Sequence, residues 1–257
     1  MVAEKARLAT VLKAKGDLKL VPYLMAGFPT KKRSIDVGKR LAASGVAALE
    51  IGIPHSDPLA DGPVIQRAGQ AALEHGMTVA GALEVCEAVA AEGIPVVLMT
   101  YINPVLAFDP RKFAAAAAQA GAAGVIVPDL PIEEAEPVAA WLRSASLDTV
   151  FMVAPTTPLD RIAAIASHSS GFIYCVTVTG ITGARKELPS GMNELLGNVK
   201  KRTALPVAAG FGISRQEHMK ALRGHADAAV VGSAIVDEIE RGGDGVSLVR
   251  ELLKACR

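Results

Sequence analysis

The sequence predicts an α/β fold, a single (β/α)8 barrel with an extra N-terminal helix and further extra helices. Three observations carry that expectation. Strand-like and helix-like segments alternate along all 257 residues, the pattern of parallel strands joined by helical crossovers. The strand-like segments are short, continuous and apolar, as required when both faces of a parallel sheet are buried. The length matches the roughly 250 residues usual for a barrel of the TIM type. No linker, low-complexity tract or shift in composition divides the chain, so 1–257 is read as a single TIM-barrel domain. A doubly wound open sheet is the alternative. That architecture carries a glycine-rich fingerprint after its first strand, whereas here the first strand runs into Met25-Ala26-Gly27-Phe28-Pro29.

In order, residues 18–25 read as the first strand and 34–44 as a helix closed by Gly45. The second strand, 46–51, is followed by a loop punctuated by Pro54, Pro58, Gly62 and Pro63. Helices are expected at 64–74 and 79–91, then a strand at 96–100 after Gly93 and Pro95. Residues 111–120 read as a helix, because the alanines at 114–118 have the highest helix propensity. Strand 124–127 stops at Pro128, and helix 133–144 follows. Strand 149–153 stops before Pro155, and helix 159–167 leads to strand 172–176. The last third gives helix 193–202, strand 206–209, helix 215–222, strand 228–231 and helices 234–240 and 246–255. Glu4, Lys5, Arg7 and Lys13 precede or interrupt the first apolar residues, so the N-terminus reads as a short amphipathic helix and not as a signal peptide.

Composition narrows the function. The net charge is +1, without a basic block or interleaved aromatic run, which argues against nucleic acid as a partner. No apolar run approaches the roughly 18 residues of a membrane span. Cys86, Cys175 and Cys256 are odd in number and far apart, with no metal-like spacing. They fit a reducing, cytoplasmic compartment, Cys86 and Cys175 serving as small core residues.

In this architecture the active site lies where the strands end, in the loops that follow. Glu50 lies inside the apolar second strand, where a charge is costly unless paired, hydrated or in use. Its loop carries Asp57 and Asp61. Other polar candidates at strand ends are Thr100, Tyr101, Asn103, Asp129, Tyr174 and Thr177. Late in the chain come three glycine-bearing turns: Thr179-Gly180-Ile181-Thr182-Gly183, Gly210-Phe211-Gly212-Ile213-Ser214 and Gly232-Ser233-Ala234. The last two lead into helices, whose first N–H groups suit an anion, and a phosphate site after the seventh and eighth strands is common in this fold. A Schiff-base aldolase is disfavoured, since the strand segments offer only Lys19, near the start of the first. A metal-dependent one is disfavoured too: His55 alone of the five histidines falls in the active loop, and His75, His168, His218 and His225 read as solvated. The chain offers carboxylates for acid–base work without an electron sink of its own.

The segment Leu49-Glu50-Ile51-Gly52-Ile53-Pro54-His55-Ser56-Asp57-Pro58-Leu59-Ala60-Asp61-Gly62-Pro63 resembles the signature of the tryptophan synthase alpha chain family. The likeness extends through Pro22-Tyr23-Leu24-Met25-Ala26-Gly27, Val127-Pro128-Asp129-Leu130-Pro131 and the three glycine turns. It implies cleavage of indole-3-glycerol phosphate to indole and glyceraldehyde 3-phosphate in tryptophan biosynthesis. It implies a beta chain partner in an αββα heterotetramer, with pyridoxal phosphate confined to that partner and no cofactor or metal in this chain. By the match, Glu50 and Asp61 are catalytic: Glu50 acts at indole C3 and at the glyceryl hydroxyl, and Asp61 accepts from the indole N–H. Tyr23, Tyr174 and Thr182 match substrate-binding positions, with Tyr174 orienting Glu50 and Thr182 approaching Asp61 as the lid, 180–190, closes. Gly183, Phe211, Gly212, Gly232 and Ser233 match the phosphate cradle, and Pro54, Asp57 and Asn103 the face toward the beta chain. Two positions depart from the family pattern: His55, where an aromatic or apolar residue is commoner, and Val178, where some members have arginine. Alternatives remain open at this point: another phosphate-binding barrel such as a sugar-phosphate isomerase, a stand-alone lyase, or a subunit acting mainly as an allosteric activator of the beta chain.

Overall fold

The computed structural model describes residues 8–13, 16–176, 191–210 and 212–257. Eight parallel strands close a barrel in sequence order: β1 (Lys19–Met25), β2 (Leu49–Gly52), β3 (Val96–Met99), β4 (Ala122–Ile126), β5 (Asp148–Val153), β6 (Ile173–Val176), β7 (Val207–Gly210) and β8 (Ala228–Val231). Around them lie α1 (Leu8–Leu12), α2 (Lys31–Ala42), α3 (Pro63–Glu74), α4 (Val79–Ala90), α5 (Ile102–Phe108), α6 (Pro110–Gln119), α7 (Glu136–Ser144), α8 (Leu159–His168), α9 (Met192–Lys200), α10 (Gln216–Leu222), α11 (Ser233–Glu240) and α12 (Val246–Lys254). The (β/α)8 expectation therefore holds, with β1 hydrogen-bonded to both β2 and β8.

The strands are apolar because helices cover one face and barrel packing covers the other. Ile51, Leu98, Ile126 and Ile173 are fully buried, and burying each such side chain contributes about 1.5–3 kcal/mol. β7 and β8 are built from small residues, Ala208, Ala209, Ala228 and Ala229 among them, all wholly buried. Larger side chains from elsewhere occupy the space they leave at the mouth. A Cβ at Gly210 would stand 2.3 Å from the Tyr174 hydroxyl oxygen, and one at Gly52 would stand 2.0 Å from that of Tyr23. Glycine at these two strand ends is what lets the rings lie across the sheet. At the opposite end Leu8 of α1 packs close to Gly124 of β4 and to Gly171, ahead of β6.

Boundaries differ from the sequence reading where local chemistry overrides periodicity. α2 begins at Lys31, because the Thr30 side chain accepts from Arg33 N and caps it there. α7 begins at Glu136 rather than 133, with Pro137 in its first turn. α5 has no counterpart in the sequence reading. Pro104 looks like a breaker, but in the first turn of a helix its missing N–H leaves no bond unmade. Asp109 then ends α5 at a φ of 73° and caps α6 by accepting from Arg111 N and Lys112 N at 3.0 and 3.1 Å. No helix among the described residues is long and apolar enough to cross a membrane.

Candidate active site

Glu50 sits in the middle of β2, beside Tyr23 of β1 and Val97 of β3, and is 2% exposed. Past Gly52 the chain leaves the barrel and returns. Two turns bring it back, Leu59 N donating to Asp57 O and Asp61 N to Pro58 O, each at 3.0 Å. Pro63 starts α3 immediately afterwards, and Gln66 Nε2 donates to the Asp61 carbonyl at 2.9 Å. Asp61 is thereby fixed between a turn and a helix start, and it lines the same cavity as Glu50. Tyr23 and Tyr174 form further walls, with Met99, Ile65 and Val230 as apolar surface and Gly212, Gly232 and Ser233 on the rim.

The two carboxyls are electrostatically coupled. Burial, and secondly the Asp61 charge, push Glu50 from 4.5 up to about 8. Burial raises Asp61 to about 7, opposed by a hydrogen bond from the Tyr101 hydroxyl. Glu50 is the more deeply buried of the two, and Asp61 has a phenolic donor to stabilise its anion. As pH rises Asp61 therefore ionises first, leaving a protonated Glu50 opposite an Asp61 carboxylate. Such a divided pair can donate a proton at one point and stabilise positive charge at another. Tyr23 and Tyr174 are raised well above the ordinary phenol value, by burial first and then by the same two carboxyls, so both hydroxyls stay protonated.

Gly212, with a φ of 78°, adopts a conformation that side chains resist. Together with Gly232 and Ser233 at the start of α11, it places the turns after β7 and β8 on one side of the cavity. Seven of the residues singled out in the sequence for catalysis, substrate or phosphate converge here: Glu50, Asp61, Tyr23, Tyr174, Gly212, Gly232 and Ser233. Thr182, Gly183 and Phe211, the 180–190 segment, Thr177 and Val178 lie outside the described residues.

Other expectations fare differently. Asp57 and Asn103 are exposed beside the mouth, whereas Pro54 is buried, so the free surface expected to face a partner belongs to the first two. Thr100 is wholly buried and does not line the cavity. The Asp129 carboxylate accepts from Ile102 N at 2.9 Å and holds the start of α5. His75, His168 and His225 are exposed, but His218 corrects the sequence reading. It is 2% exposed, and its Nδ1 accepts from Ser214 N at 3.2 Å. The apolar period of α10 turns it inward with Met219 and Leu222. All three cysteines are buried and none is in a disulfide, and burial pushes the Cys175 thiol up to about 12. Among the described residues no three His, Cys, Asp or Glu side chains gather as a metal site.

Sequence reasoning names Tyr101 as a strand-end polar residue but gives it no role. It joins Asp61 by a hydrogen bond, and all three tyrosines of the chain surround the carboxyl pair. Ile65 escapes notice because the face of α3 that meets the cavity is not separable from its core face by periodicity alone.

The chain is thus a closed (β/α)8 barrel with a buried acid–acid pair in the cavity at its mouth and the glycine-bearing turns after β7 and β8 on the rim of the same cavity. The family model described as tryptophan synthase alpha chain matches residues 9–256. Proteins of that name from Chloroflexus aurantiacus and Carboxydothermus hydrogenoformans are 43% and 47% identical over 252 and 232 residues. These matches cover 95% of both chains in the first case, and 89% of this chain and 86% of the relative in the second. A structure of Mycobacterium tuberculosis tryptophan synthase superposes with a TM-score of 0.92 at 37% identity, covering 99% of each chain. One of the tryptophan synthase α2β2 complex from Pyrococcus furiosus gives 0.87 at 37% identity, covering 93% of this chain and 99% of that one. The chain belongs to the tryptophan synthase alpha chain family.

Proposed function

We propose that this chain is the lyase subunit that cleaves indole-3-glycerol phosphate to indole and glyceraldehyde 3-phosphate. The observation that carries the reading is the shared cavity of Glu50 and Asp61, rimmed also by Gly212, Gly232 and Ser233. The protonated Glu50 carboxyl gives its proton to indole C3. The ring becomes an indoleninium, whose N–H donates to the Asp61 carboxylate. Glu50, now a carboxylate, takes the proton of the glyceryl hydroxyl next to C3. The C–C bond breaks, its electron pair restores the indole, and the hydroxyl carbon becomes the aldehyde. One proton enters and one leaves, so Glu50 ends as it began. The electron sink is the substrate's own ring, so the proposal assigns this chain no cofactor or metal. The fixed donors on the rim receive the phosphate and hold C3 against Glu50.

The reading includes a tryptophan synthase beta chain as partner, carrying the pyridoxal phosphate, in a cytoplasmic αββα heterotetramer. It is supported by the alpha-chain family match, by the α2β2 assembly of the Pyrococcus relative, and by an exposed apolar pair beside the mouth. Leu59 is 89% exposed in the catalytic loop and Leu106 is 55% exposed on α5, near Asp57 and Asn103. Incubation of the purified chain with indole-3-glycerol phosphate tests the chemistry, with indole release expected and no release refuting it. Light scattering of the chain mixed with a beta chain tests the assembly: Leu59→Asp is expected to prevent it, and unaltered assembly would refute the assigned surface.

A further inference from the structure

We propose that Tyr101, with the His55 ring packed against it, is a positioning residue that fixes the Asp61 carboxylate in the cavity. The inference rests on the acid–base reading above and adds a support that reading does not contain.

Tyr101 follows β3 at the N-cap position of α5 and is 3% exposed. Its backbone is anchored from the loop after β4, since the neighbouring Ile102 N donates to Asp129 Oδ1 at 2.9 Å. The side chain crosses to the loop after β2 and makes two bonds there. Its hydroxyl oxygen accepts from Ala60 N at 3.1 Å, and its proton is donated to the Asp61 carboxylate. One phenol thus holds a backbone N–H and the adjacent side chain together, which fixes the loop's end and the carboxylate's direction at once. His55, on the same loop as Asp61, lies with its ring centroid 5.1 Å from that of Tyr101 at a tilt of 32°. That contact closes the phenol's free side, so the loop grips the ring at two points, five residues apart. Offset aromatic pairs of this kind contribute about 0.5–1.5 kcal/mol beyond their buried area.

The consequence for Asp61 is specific. Among the described residues its remaining charged or titratable neighbours, Glu50 on β2, Tyr23 on β1 and Tyr174 on β6, are carboxyl or phenol groups, none of which brings a positive charge. Asp129 adds a further negative charge near Tyr101. The Tyr101 hydroxyl opposes the effect of burial by bonding the anion. Without it, Asp61 would swing more freely and keep its proton to higher pH, in competition with Glu50.

The test uses the full chain and Tyr101→Phe, which keeps ring, volume and packing. Its first readout needs no turnover: the side-chain carboxyl carbon of Asp61 is titrated by NMR, assigned through Asp61→Asn. In Tyr101→Phe the midpoint is expected to rise by about one pH unit, and an unmoved midpoint would overturn the proposal. The second readout is indole release. The variant should lose about ten- to a hundredfold in kcat with little change in KM, and the acid limb of its pH profile should move up. A parent-like profile in an active series overturns the positioning role while leaving the lyase reading intact. Inactivity of the parent chain overturns the lyase reading, and the titration still decides the Tyr101–Asp61 bond. His55→Phe, which retains a ring, is expected to match the parent, and His55→Ala to move part of the way toward Tyr101→Phe. Equal behaviour of the two His55 variants would remove the ring contact from the proposal.

Discussion

Replacing Glu50 by glutamine should abolish indole release and yet stabilise the fold, increasingly so as pH rises. The unfolded chain releases the Glu50 proton near the ordinary value of 4.5, whereas the folded carboxyl keeps it to about 8. Between those values the native state binds a proton that the unfolded state has lost, so stability falls with rising pH, by about 1.4 kcal/mol per unit. The cost of the carboxyl is about 3 kcal/mol at pH 7 and between about 4 and 5 kcal/mol above pH 8. Glutamine has the same shape and does not titrate. The difference in unfolding free energy between Glu50→Gln and the parent should therefore grow from about 1 kcal/mol at pH 5 to about 3 kcal/mol at pH 7, then level off past pH 8. In thermal unfolding of a chain this size, the pH 7 gain corresponds to roughly 6–12 °C. Asp61 titrates in both proteins, and its coupling to Glu50 is already contained in the raised Glu50 value. Urea unfolding at five or six pH values measures the difference directly. The amide's own hydrogen bonding shifts all points together, so the slope is the quantity to read. A flat difference from pH 5 to pH 9 would refute the burial argument, and with it the account of Glu50 as the proton donor.

Further expectations follow from the same geometry. Asp61→Asn removes the acceptor for positive charge and should cost about a hundred- to ten-thousandfold in indole release with the fold retained; near-normal turnover would remove the assignment. Gly210→Ala places a methyl 2.3 Å from the Tyr174 hydroxyl oxygen, so the ring must move. Steady-state kinetics should show a roughly tenfold fall in kcat/KM, about 1.4 kcal/mol, and adding Tyr174→Phe should not recover it, because two ring carbons would still stand 2.5 Å from the methyl. Gly212→Ala forces a side chain into the left-handed region at a φ of 78° and should destabilise by about 1–2 kcal/mol. Glycerol phosphate affinity by calorimetry should fall with it if that turn receives the phosphate.

The sequence discloses a residue best when its chemistry conflicts with its position. Glu50 stands among Leu49 and Ile51 in a run that must be buried, and such a charge asks for an explanation on the strength of its neighbours alone. The glycine turns after β7 and β8 are legible for a similar reason, because the fold assigns those strand ends a common use. Residues that suit either of two roles are not. Ile65 is an ordinary apolar residue of an amphipathic helix, and only the closure of the barrel decides that it faces the cavity. His218 is polar enough to be solvated, and the packing of α10 is what places it inside. α5 is hidden because Pro104 is a breaker by composition and harmless by position. Tyr101 is visible as a polar residue at a strand end, but its bond to Asp61 spans two loops, and loop closure has no local signature.

These cases bear on why the acid pair is divided between a strand and a loop. Glu50 must hold its proton in a site that disfavours its charge, and only a rigid, fully buried strand can sustain that cost without admitting water. Asp61 must be ionised beside it, which requires a donor, and the phenol next to Glu50 on β1, Tyr23, points its hydroxyl at Met25 Sδ, 3.9 Å away. Placing Asp61 at the end of a loop brings it within reach of Tyr101, while the turns at 57–61 and the start of α3 restore the rigidity that a loop lacks. On this argument the two carboxyls cannot exchange roles. An Asp at 50 would be too short to reach the same point, and a Glu at 61 would overrun the Tyr101 hydroxyl. The double exchange Glu50→Asp with Asp61→Glu conserves charge and composition, and its indole release should fall at least as far as that of either single change. Recovery of activity in the double variant would mean that the cavity needs two carboxyls but not this division between them.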